Sequence, residues 1–113
     1  MEFDVEAITQ TKAEAQALLD KLAKANPITA ADAQAISDTI VVVNVVLTHL
    51  NQEAWASTTA SMQAAAADMK KPLKDLGNLK DQLAGVASRV KTFANVAREV
   101  DSLIGGCKSV FGI

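Results

Sequence analysis

At 113 residues, 50% of them apolar and 21% charged, the chain has the composition of one globular domain, not of a disordered segment. It is long enough to bury a core without metals or disulfides. A single cysteine, Cys107, excludes an intrachain disulfide framework, and a net charge of −2 supplies no general attraction for nucleic acid or anionic membranes. Alanine fills 21 positions, tyrosine none, and glycine and proline only seven together, a mix that favours helix.

The acidic start, Met1-Glu2-Phe3-Asp4, leads into no apolar stretch of the secretory type. No run approaches the ~18 apolar residues of a single membrane-spanning helix. The expectation is therefore one domain over residues 1–113 with neither signal peptide nor transmembrane helix, cytoplasmic by default.

A first helix is predicted over residues 4–25. Ile8, Thr11, Ala15, Leu18, Leu22 and Ala25 alternate by three and four, with Lys12, Glu14, Gln16 and Lys21 on the opposite side. Asn26-Pro27 ends it, because a residue before proline is pushed out of the α region.

Thr29-Ala-Ala-Asp32 then has the spacing of a capping box, with Asp where Glu is commoner. The helix behind it carries Ile36, Ile40, Val43, Leu47 and Leu50 on one stripe. Val42 and Val46 add a second apolar face, and Val41 and Val45 a third. An element apolar on several sides is covered on several sides, so residues 40–47 are expected at the centre of the core or of an assembly. Asn44, the polar member of that run, is a candidate for fixing register or oligomeric state, as a core Asn does in coiled coils. It equally suits a solvent-facing position.

No glycine or proline interrupts residues 28–71, which predicts one helix over residues 30–70, about 60 Å long. Ser57, Thr58, Thr59 and Ser61 mark the place for a break, near residues 51–58. Lys70-Lys71-Pro72 and Asp75-Leu76-Gly77 read as the end of this helix and a turn. A third helix follows, with Leu79, Leu83, Val86, Val90, Phe93, Ala97, Val100 and Ile104 in heptad register, until Gly105-Gly106 stops it. Cys107 falls in the tail beyond.

Short connections make the first and third helices antiparallel to the second. The fold class expected is all-α: an elongated antiparallel bundle of three helices, or four if the second one breaks. Residues 54–69 then have one covering helix and want another surface. Trp55, Ala60, Met62, Ala64 and Met69, with Phe111, form the candidate interaction surface. Residues 1–68 hold nine acids and three bases and residues 69–113 four acids and eight bases, which favours packing one half on the other.

Catalytic constellations are scarce. His49 and Cys107, one of each, would have to meet across helices to form a nucleophile–base pair. His49-x-x-x-Glu53 offers two metal ligands where zinc takes three or four, and there is no repeated Glu-x-x-His pair for a di-metal bundle. Neither a P-loop nor Gly-x-Gly-x-x-Gly occurs. Lys70, Lys71, Lys74 and Lys80 cluster without interleaved aromatics, unlike a nucleic-acid surface. Trp55-Ala56-Ser57 lacks the glycine of the Trp-x-Gly turn of WXG-type hairpins, and no family is assigned.

The function expected is non-catalytic: a helical interaction or assembly protein working through coiled-coil-like packing, as a homo-oligomer or on a partner's helices. No cofactor, metal, nucleic acid or small-molecule substrate is implied. The alternative is a lipid- or membrane-engaging protein, a component of an α-helical pore or an apolar-ligand carrier. The valine-rich segment and the apolar end Val110-Phe111-Gly112-Ile113 favour it.

Overall fold

A computed structural model describes residues 5–27, 29–51 and 59–112. Among these residues the chain is all-α, with four helices packed on one another and no strand: α1 (Val5–Ala23), α2 (Ala30–Leu50), α3 (Thr59–Ala87) and α4 (Val96–Phe111). A 3-10 turn, Lys91–Phe93, lies between α3 and α4.

The predicted start of α2 forms: Thr29 is extended at φ −117°, and its Oγ1 accepts the Asp32 backbone N–H at 3.1 Å. The helix ends at Asn51, whose N–H reaches the Leu47 carbonyl at 3.0 Å. The single helix expected over residues 30–70 is thus two helices, and residues 52–58 lie outside the described residues.

The turn expected at residues 71–78 does not form, because α3 runs through Pro72 and Gly77. Proline inside a helix costs about 3 kcal/mol and glycine about 1. Against this, Met69, Leu73, Leu76 and Leu83 are all buried on one stripe that crosses Pro72. Each such side chain contributes about 1.5–3 kcal/mol, so burial outweighs the local preference.

The third helix expected over residues 79–104 is broken instead at 88–95. Ser88 donates its hydroxyl to the Gly85 carbonyl at 2.6 Å, a local bond that competes with helix continuation. Val90 and Phe93, read as heptad positions, are buried inside the turn itself. Gly105-Gly106 does not stop α4; Gly112 does, with φ +68° and its N–H on the Lys108 carbonyl. Val96, Val100, Leu103, Cys107 and Val110 make one unbroken buried stripe past both glycines.

α1 packs on α2 and α4, and α3 packs on the same two, closing a ring. Along α1 and α4, Thr11 sits beside Gly106, Glu14 bonds Ser102 and Lys21 bonds Glu99, so numbers rise on one helix as they fall on the other. The body measures 46 × 23 × 17 Å. The 29 residues of α3 span about 44 Å of that length. Side chains from all four helices form one hydrophobic cluster.

Candidate functional site

Among the described residues, no buried side-chain nitrogen or oxygen lacks a hydrogen-bond partner. The buried hydroxyls of Thr11 and Thr39 each donate to the carbonyl four residues back, Ala7 and Ala35, at 2.7 Å. The Asp32 carboxylate, 2% exposed, receives Arg89 Nε at 2.8 Å and Nη2 at 2.5 Å. This bidentate grip, against the opposing effect of burial, holds Asp32 below the usual carboxylate range. It ties the start of α2 to the turn after α3.

Cys107 is not in a tail but fully buried on α4. Burial, with the Glu14 charge adding to it, pushes its thiol up to about 12, so it carries no thiolate at neutral pH. Among the described residues no three His, Cys, Asp or Glu side chains could share a metal ion.

Two surface grooves among the described residues bear on the site. The larger, about 560 Å³, lies between α1 and α4 and is lined by Glu14, Ala17, Lys21, Arg98, Glu99 and Ser102. Its polar groups are largely engaged with each other, through the Lys21–Glu99 ion pair and the Ser102 hydroxyl on Glu14 Oε1 at 3.2 Å. The smaller, about 370 Å³, lies between α2 and α3 and is lined by Asp38, Val41, Val42, Asp75, Asn78, Leu79 and Gln82.

Of the residues predicted for core or assembly, Ile36, Val43 and Leu50 are buried, and Ile40 and Leu47 are half-buried against the core. Asn44, which suited either a core register position or a solvent-facing one, is exposed. The interior seam of α2 runs through Thr39, Val43, Val46 and Leu50, which turns Asn44 outward. On the candidate surface, Ala60 and Ala64 are exposed. Met69 and Phe111 are not surface residues: Met69 starts the buried stripe of α3, and Phe111 closes that of α4. Trp55 and the side chain of Met62 lie outside the described residues.

The surface apolar residues that sequence reasoning left in the core are Val41, 61% exposed, and Val45, 39% exposed. Three valine faces on one helix were the available signal, since a helix with two neighbours in a ring can bury only two of them. Thr48 and His49 beside them bond their own helix: the Thr48 hydroxyl donates to the Asn44 carbonyl and His49 Nδ1–H to that of Val45, both at 2.8 Å.

α2 is also long and apolar enough to cross a bilayer by length and composition. Its unbroken apolar runs stay short, as expected, interrupted by Asp32, Gln34, Ser37, Asp38, Thr39, Asn44 and Thr48, and the core helix of a folded domain has the same length and composition. One third of that stretch is buried inside the fold. No protein-family model, curated protein or solved structure matches the chain.

Proposed function

We propose that the chain is a non-catalytic helical interaction and assembly protein, an elongated antiparallel four-helix bundle that offers one helix face to another protein. The observation that carries this reading is the outer side of α2, where Val41 and Val45 stand exposed around Asn44. Apolar residues flanked by uncharged polar ones are what the centre of a protein interface contains. The remaining chemistry points the same way. Asp32 and Arg89 serve each other, Cys107 is held protonated, and in the larger groove Lys21 pairs with Glu99 and Ser102 with Glu14. Nucleic acid is not proposed as a partner, since Lys71 and Lys80 are occupied by Asp75 and Asp101.

A second reading, engagement of lipid, is favoured by the length and composition of α2. Light scattering across a wide concentration range, with and without liposomes, separates the two. Self-association in buffer with no flotation supports the assembly reading; a monomer that floats with liposomes supports the second. Ala60→Glu and Ala64→Glu test whether the exposed alanines of α3 join the contact, by lowering the mass while helicity is unchanged.

A further inference from the structure

We draw no further inference here: the strongest candidate, the exposed outer face of α2 around Val41 and Val45 with the groove it shares with α3, carries none, because nothing in the structure shows what covers it.

Discussion

Thr11 and Gly106 bring α1 and α4 into close approach. A Cβ added at Gly106 would stand 2.8 Å from Thr11 Oγ1 and 3.2 Å from its Cγ2. The threonine cannot easily swing away, being β-branched and bonded to the Ala7 carbonyl at 2.7 Å. Gly105, one residue earlier, has nothing within 4 Å of such a Cβ. Gly106→Ala should therefore destabilise by about 1–3 kcal/mol through overpacking, while Gly105→Ala should stabilise by about 0.5–1 kcal/mol. Urea unfolding of the two variants checks the contrast, and equal midpoints would contradict the close approach.

A similar comparison tests the continuity of α3. Gly77 is helical, and nothing lies within 4 Å of a Cβ placed there. Gly77→Ala should raise stability by about 0.5–1 kcal/mol, and Pro72→Ala should raise it further by restoring a backbone donor mid-helix. In a turn at residues 75–77, the glycine substitution would be neutral or harmful. Thermal melts and helicity of the two variants decide the point.

Asp32 sets an acid limb on stability. Arg89 holds its folded pKa below the unfolded value, so the unfolded chain binds more protons in that range and stability rises with pH. The contribution is fully present above about pH 4 and is lost as pH falls through the lower, folded value. Asp32→Asn should weaken the fold at neutral pH and flatten the decline below pH 4. Arg89→Gln should cost more, because it strands a buried carboxylate. Urea midpoints from pH 2 to 7 give both slopes.

Val43, fully buried, and Lys24, exposed, bracket the sensitivity of the fold to charge. Val43→Asp places an unpaired carboxylate in the core at a cost of several kcal/mol and should abolish the cooperative melt. Leu47→Asp should do less than full burial would imply, since Leu47 is half-buried. Lys24→Asp should be nearly silent.

Asn44→Val separates the inner from the outer face of α2. With Asn44 exposed, melting of the dilute chain should move by less than ~0.5 kcal/mol. At high concentration the same variant should give larger and more varied assemblies, because it lengthens the apolar strip and removes the polar group at its centre. Light scattering at two concentrations reads both effects.

Helical class, the C-terminal end of α1, the Thr29 cap and the apolar centre of α2 were legible in the sequence, because each depends on residues a few positions apart. Thr29 and Asp32 need only one turn of helix to meet. Of the interior breaks, the end of α2 at Asn51 falls in the stretch marked for one, residues 51–58, whereas the break at 88–95 was not legible. Pro72 and Gly77 are local stop signals overruled by the buried stripe of Met69, Leu73 and Leu76, whereas the regular heptads through Val90 and Phe93 carry no mark of the turn that buries them. A heptad pattern says which side chains are inside, not whether the backbone between them stays helical. Charge was likewise only half informative: Asp32 with Arg89 follows the acidic-first, basic-second division, and Lys21 with Glu99 runs against it. Which of the three valine faces of α2 meets water was decided by the ring of helices alone. Burial of a helix is shared out by its neighbours, and two neighbours leave Val41 and Val45 uncovered.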